Sequence, residues 1–140
     1  MNVIITGCGR VGAYLAGRLS QSGHNVTIID SDQKSFDKLG NGFNGMPVTG
    51  IPIDEDVLKL ASIETADAVC AVTPDDNMNI MIAQISRQLY HVPVVITRTS
   101  DPEREEVLKQ MGLDTLCATT LAVERLETML EKGRCVQCEL

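Results

Sequence analysis

The stretch Val3-Ile4-Ile5-Thr6-Gly7-Cys8-Gly9-Arg10-Val11-Gly12 decides how this chain folds. A G-x-G-x-x-G hexapeptide recurs by chance, and alone it is only a turn. Here it follows a short apolar run of strand type and opens a segment of helical periodicity, so it closes the first strand and starts the first helix. Each glycine has a reason: Gly7 for the tight turn, Gly9 for close approach of a phosphate to the backbone, Gly12 for close packing of helix on strand. The helix start then presents free N–H groups and a partial positive charge to a diphosphate. Gly7, Cys8, Gly9, Arg10, Val11 and Gly12 are therefore candidate nucleotide-binding residues. Arg10 can reach a terminal phosphate or a neighbouring chain, or simply stand in solvent.

Working outward, Arg10 to Ser22 reads as a helix with Val11, Tyr14, Leu15 and Leu19 toward the core, ended by Gly23 in the C′ position. Val26 to Asp30 is a second strand. Asp30 lies about 18 residues beyond Gly12, where an acidic side chain accepts hydrogen bonds from both ribose hydroxyls; its alternative role is a cap for the helix from Asp32. Ser31 adjoins it. A carboxylate here repels a 2′-phosphate, which favours NAD or ADP/ATP over NADP.

A short helix from Asp32 to about Gly40 leads into a turn, Gly40 to Gly45. A third strand is expected near Met46 to Gly50, then a helix from about Asp54 carrying Val57, Leu58 and Ala61. Ala68 to Val72 has no polar alternation and suits a strand covered on both faces. A helix from Asp76 to Tyr90, a strand Val94 to Thr97, a helix opened by Asp101-Pro102 and closed at Gly112, a strand Thr115 to Cys117 and a helix Thr120 to Lys132 complete the order. Alternating strands and helices predict an α/β, Rossmann-type doubly wound, mainly parallel six-stranded sheet with helices on both faces. The last helix carries Leu121, Leu126, Met129 and Leu130, to be buried on its own sheet or on another copy.

Length and composition agree with one domain, residues 1–132, and a C-terminal tail, residues 133–140. The chain has 140 residues, a net charge of −7 and 3% aromatic residues. Acidity and scarce aromatics disfavour nucleic acid and direct membrane insertion. No apolar run is long enough to span a bilayer, and no basic leader precedes the first strand; a cytoplasmic protein is expected. Five cysteines suit reduced thiols better than a disulfide framework. The lone Cys135-Val136-Gln137-Cys138 lacks partners for four zinc ligands, so no metal site is expected.

The glycine turn, Asp30 with Asp32, the segments Asp54-Glu55-Asp56-Val57-Leu58 and Ala66-Asp67-Ala68-Val69-Cys70-Ala71-Val72-Thr73, Asp76 with Asn79, and Arg98 after Val95-Ile96-Thr97 together resemble the RCK/KTN (TrkA N-terminal) nucleotide-binding regulatory domains of potassium channels and transporters. The resemblance covers roughly residues 1 to 130 and rests on order and spacing. It implies a domain that binds NAD(H) or ADP/ATP, with AMP a further option, forms a homodimer or higher ring, and gates an integral-membrane potassium channel or transporter subunit from the inner face of the membrane. It also implies that Thr73 and Asp76 border the pocket and that Arg98 offers charge to phosphate; capping and surface pairing are their plainer roles. Where the family has Gly-Asp-Ala-Thr after the third strand, this chain has Gly50-Ile51-Pro52-Ile53. The acidic residue at the adenine edge is gone, and Ile51 and Pro52 offer apolar contact instead.

Three functions follow: a regulatory module in which the nucleotide is an effector, a small NAD-dependent oxidoreductase, and a nucleotide sensor with a non-transport partner. A dehydrogenase needs further structure to hold substrate against nicotinamide. No catalytic residues are evident, since His24 and His91 fall in turns at the edge of the sheet opposite the ligand edge.

Overall fold

The computed structural model describes residues 1–138, with side chains to residue 134. Six strands form one sheet: β1 (Asn2–Thr6), β2 (Asn25–Asp30), β3 (Met46–Thr49), β4 (Ala68–Ala71), β5 (Val94–Thr99) and β6 (Asp114–Cys117). Their spatial order is β3-β2-β1-β4-β5-β6, and every neighbouring pair is parallel. The sheet expected to be mainly parallel is wholly so. The chain moves outward from β1 to β3, then crosses back to β4, so β1 and β4 flank the switch point where ligands of such sheets bind.

The helices are α1 (Arg10–Gln21), α2 (Glu55–Leu60), α3 (Asp76–Gln84), α4 (Pro102–Gln110) and α5 (Ala118–Cys138). A 3-10 stretch, Gln33–Lys38, stands where the short helix after Asp32 was expected, and α3 continues as a π-helical turn, Ile85–Leu89. One core gathers Ile4, Ile29 and Val69 of the sheet with Leu58, Ile82 and Leu108 from α2, α3 and α4. A second, on the other face, joins Ile5, Ile28 and Cys70 to Ala13 and Ala16 of α1. Both faces are thus covered, which explains why β4 has no polar alternation.

Two helices depart from their sequence patterns. In α1 the buried residues are Gly12, Ala13, Ala16 and Ser20, while Val11 is 44% and Tyr14 71% exposed. The expected inward placing of Val11 and Tyr14 is therefore wrong, and Leu15 and Leu19 are only partly buried. The cause is the closeness of helix and sheet: a Cβ on Gly12 would collide with the carbonyl oxygen of Gly7, so only small residues fit the contact stripe. Helix α5 continues past Lys132, so the segment expected as a tail is helical as far as Cys138. Every α5 residue from 121 to 134 is exposed, including Leu121, Val123, Leu126, Met129 and Leu130. Packing of this helix on its own sheet is not what forms. The side chains of Cys135 and Cys138 lie outside the described residues. Among those described, no helix is long and apolar enough to cross a membrane.

Candidate nucleotide site

At the carboxyl edge of β1 the chain turns at Gly7, whose φ is +100°, a conformation costly for any residue with a Cβ. A Cβ there would also lie 2.9 Å from the Cα and N of Thr73. The Gly7 amide donates to the Ile29 carbonyl at 2.8 Å, fixing the turn to β2. Gly9 is the N-cap of α1; it supplies no capping side chain, and the first turn of α1 contains no acidic residue. A Cβ on Gly9 would meet nothing within 4 Å. The N-terminal N–H groups of α1 thus face open space with no side chain competing for them, as an anion site requires.

Asp30, half-buried at the end of β2, leans toward this turn. Its Oδ2 accepts from the Cys8 amide at 2.8 Å and its Oδ1 from the Asp32 amide at 2.9 Å. A carboxylate has about four acceptor positions, so capacity remains for ribose hydroxyls while the two bonds hold the group in place. Cys8 itself is a structural residue: it is fully buried, its N–H engages Asp30, and its thiol donates to the Ser35 carbonyl at 3.3 Å. Burial first, then the negative charge of Asp30, push that thiol above the usual range despite Lys38 nearby, which keeps it protonated and inert.

Across the switch point, Thr73 follows β4. Asn79 of α3, fully buried, accepts from the Thr73 amide (2.9 Å) and hydroxyl (2.7 Å). Its amide nitrogen donates to the carbonyls of Thr73 (2.9 Å) and Arg98 (3.1 Å). Asp75 caps α3 through Oδ1, accepting from the amides of Asn77 and Met78.

These elements enclose a cleft of about 260 Å³ lined by Gly7, Asp30, Ser31, Pro52, Thr73, Pro74, Asp75 and Met78. The cleft brings together Gly7, Asp30, Ser31, Pro52 and Thr73 from the sequence reading. Ile51 is adjacent to the lining but 55% exposed. Cys8, Gly9 and Gly12 shape the turn beside it. Arg10 and Val11 face a broader groove of about 710 Å³ along the outer side of α1, with Tyr14, Leu15, Arg18, Leu19 and Ser22.

Like Arg10 and Val11, the expected residues Asp76 and Arg98 stand apart from the cleft. The Asp76 carboxylate accepts from the Thr99 hydroxyl (2.9 Å) and from the Ser100 amide and hydroxyl (both 3.0 Å), tying α3 to the loop after β5. Burial alone would raise its pKa, but these hydrogen bonds and the charge of Arg104 outweigh it and hold the carboxyl below its ordinary value. Arg98 lies within β5 and not after it, because the strand continues to Thr99. It alternates with buried Thr97 and Thr99, so its half-buried side chain points to the α1 side of the sheet.

Pro74, Asp75 and Met78 were not foreseen as lining. The capping pattern of Asp75 was legible; nothing in the spacing marks Met78 as facing a cleft instead of the core. His24 and His91 precede β2 and β5, at the opposite edge.

Residues 3–119 match the family model of the TrkA-N domain. The Trk system potassium uptake protein TrkA of Streptomyces coelicolor is 43% identical over 134 residues, 95% of this chain and 60% of that protein, so the chain spans about three-fifths of this relative's length. Among solved structures, the Kef CTD of Shewanella denitrificans in AMP-bound form superposes with a TM-score of 0.78 at 20% identity, over 94% of this chain and 81% of that one. The GsuK channel bound to NAD superposes with a TM-score of 0.67 at 20% identity, over 81% of this chain and 21% of that one. Likeness at this identity is one of fold. The glycine turn, the acidic end of β2 and the buried Asn79 brace lie inside the matched span, and the chain belongs to the TrkA-N domain family.

Proposed function

We propose that this chain is the nucleotide-binding regulatory domain of a potassium uptake system, holding NAD(H), ADP, ATP or AMP as an effector and not as a substrate. The observation that carries the reading is the open, uncapped start of α1, a set of N–H donors, beside an acceptor carboxylate at the end of β2 that lines the cleft. The diphosphate or phosphate sits at the N–H groups of α1, and Asp30 receives the ribose. Fold neighbours holding AMP and NAD support the same class of ligand. Nothing in the cleft calls for turnover, since its side chains offer contacts and caps but no arranged nucleophile and base.

Dimerisation, as a homodimer or within a larger ring, is the second part of the proposal. A helix exposed at every residue from 121 to 134, with five large apolar side chains among them, is unstable in water unless another surface covers it. The α1 side of β5, where Val94 is exposed and Ile96 half-buried, is free of the helices that pack on β5, since α3 and α4 lie on the opposite face. The ring then acts on an integral-membrane potassium channel or transporter subunit at the cytoplasmic face, and nucleotide exchange shifts its gate. Sequence likeness to TrkA proteins supports that partner.

Mass spectrometry of nucleotide released from the purified protein, followed by calorimetry with NAD, NADH, AMP, ADP and ATP, tests the reading. An adenine nucleotide bound in the micromolar range is the expected result; none bound at millimolar concentration would refute it. Light scattering should give at least twice the mass of one chain.

A further inference from the structure

Two carboxylates line the cleft, Asp30 from the end of β2 and Asp75 from the start of α3. A carboxylate only accepts hydrogen bonds, and its charge repels phosphate. With the phosphates at the N–H groups of α1, each carboxylate has to be met by a donor from elsewhere in the ligand. The adenosine part of a nucleotide carries donors in two places, the ribose hydroxyls and the 6-amino group of the base. Asp30 is bonded to the Cys8 amide, inside the glycine turn itself, so it is the carboxylate next to the phosphate position and receives the ribose. Asp75, across the switch point after β4, is left with the base.

The structure holds Asp75 ready for that contact. Its Oδ1 accepts from the amides of Asn77 (2.9 Å) and Met78 (3.2 Å), and its own N–H donates to the Thr73 hydroxyl at 3.2 Å. Oδ2 accepts from none of the described residues. One oxygen thus fixes the group and the other is free. Beside it Pro52, Pro74 and Met78 give the cleft an apolar wall for the flat faces of a ring. Ser31 also lines the cleft, next to Asp30, but a hydroxyl donates or accepts as required and does not separate a base with an amino group from one without. A fixed carboxylate oxygen does. We propose that Asp75 is the specificity-determining residue for the base, its Oδ2 accepting a hydrogen bond from the 6-amino group of adenine. The inference rests on the nucleotide reading proposed above and deepens it, by assigning recognition of the base to one atom. Asp75 is exposed, so the selectivity expected is that of one charge-assisted hydrogen bond at a wet rim, ~10-fold, and not the far larger factor of a fully buried partner.

Calorimetry of the purified chain with ADP and with purine riboside 5′-diphosphate, which lacks only the 6-amino group, tests it. The expected result is binding of the second ligand ~10-fold weaker than ADP. Asp75→Asn supplies a second measurement. Asparagine caps a helix as well as aspartate, so Oδ1 keeps its amides and the melting temperature should hold, while an NH2 group takes the place of Oδ2. ADP should then bind within ~2-fold of purine riboside diphosphate, a convergence that a purely capping role for Asp75 would not produce. Wild-type dissociation constants within ~2-fold of each other overturn the inference and leave the nucleotide site standing, as does an Asp75→Asn protein that keeps the ~10-fold gap. Failure of ADP to bind overturns the nucleotide reading and the inference with it.

Discussion

Helix α1 starts at a glycine that offers no side chain to its free N–H groups and carries no acidic residue in its first turn, whereas α2, α3 and α4 start at Asp54, Asp75 and Asp101. Each of those aspartates accepts a hydrogen bond from an amide of the helix it precedes, and each helix has further acid in its first turn. All four helices leave the same carboxyl edge of one parallel sheet, so position does not explain the contrast. Of these four helix dipoles three are met from within the chain and that of α1 is not; α5 likewise has no acid in its first turn, but it follows β6 at the outer edge of the sheet, away from Asp30. In a chain of net charge −7, that gap marks where negative charge is welcome.

The largest break in this contrast should come from Gly12→Val. Its side chain has to enter the space held by the Gly7 carbonyl, a backbone atom that cannot swing away. A loss on the order of 3 kcal/mol or more in urea unfolding is expected, with the nucleotide site lost alongside.

Gly9→Asp converts α1 to the plan of its neighbours. Gly9 has an extended backbone (φ −82°, ψ −165°) and open space at its Cβ position, so the protein should fold with stability unchanged or raised by a few tenths of a kcal/mol. Nucleotide affinity should nevertheless fall ~100-fold or more, since a fixed carboxylate then occupies and repels the phosphate position. Equal affinity in calorimetry would mean that phosphate does not bind there.

Asp30→Ala removes a charged acceptor and should weaken nucleotide binding by roughly 10- to 100-fold. NAD should lose more than a phosphate-only probe such as pyrophosphate, because the missing contacts are to ribose. Asp101→Ala, at a capped helix away from the cleft, should cost about 1 kcal/mol in thermal unfolding and leave affinity unchanged.

The smallest effect is a pH dependence. Because the folded Asp76 carboxyl lies below its ordinary value, its contribution is present above the unfolded pKa and disappears as pH falls through the folded one. Stability should therefore decline below about pH 4, and Asp76→Asn should flatten that part of the profile.

Much of this was legible in the chain because local chemistry and tertiary position coincide. The glycine turn, the strand ending at Asp30 and the Asp101-Pro102 start of α4 are short-range signals, and each of these three stands within a residue or two of its expected place. Side-chain direction was less legible. Helical periodicity treats large apolar residues as inward, yet in α1 the stripe against the sheet is built of glycine, alanine and serine, and Val11 and Tyr14 are displaced outward. In α5 the same periodicity marks a surface with no cover in the single chain. Asp76 and Asp75 were indistinguishable by type; only the path of the backbone sends one to the loop after β5 and the other to the cleft.

Asn79 has all four of its hydrogen-bonding positions filled by the ends of β4 and β5, at zero exposure. The wall it braces is therefore already assembled before any ligand arrives. Binding at that wall does not have to immobilise a loose segment, so its free energy is not offset by ordering. Any movement that a nucleotide provokes must then originate elsewhere, or carry β4, α3 and β5 together as one piece.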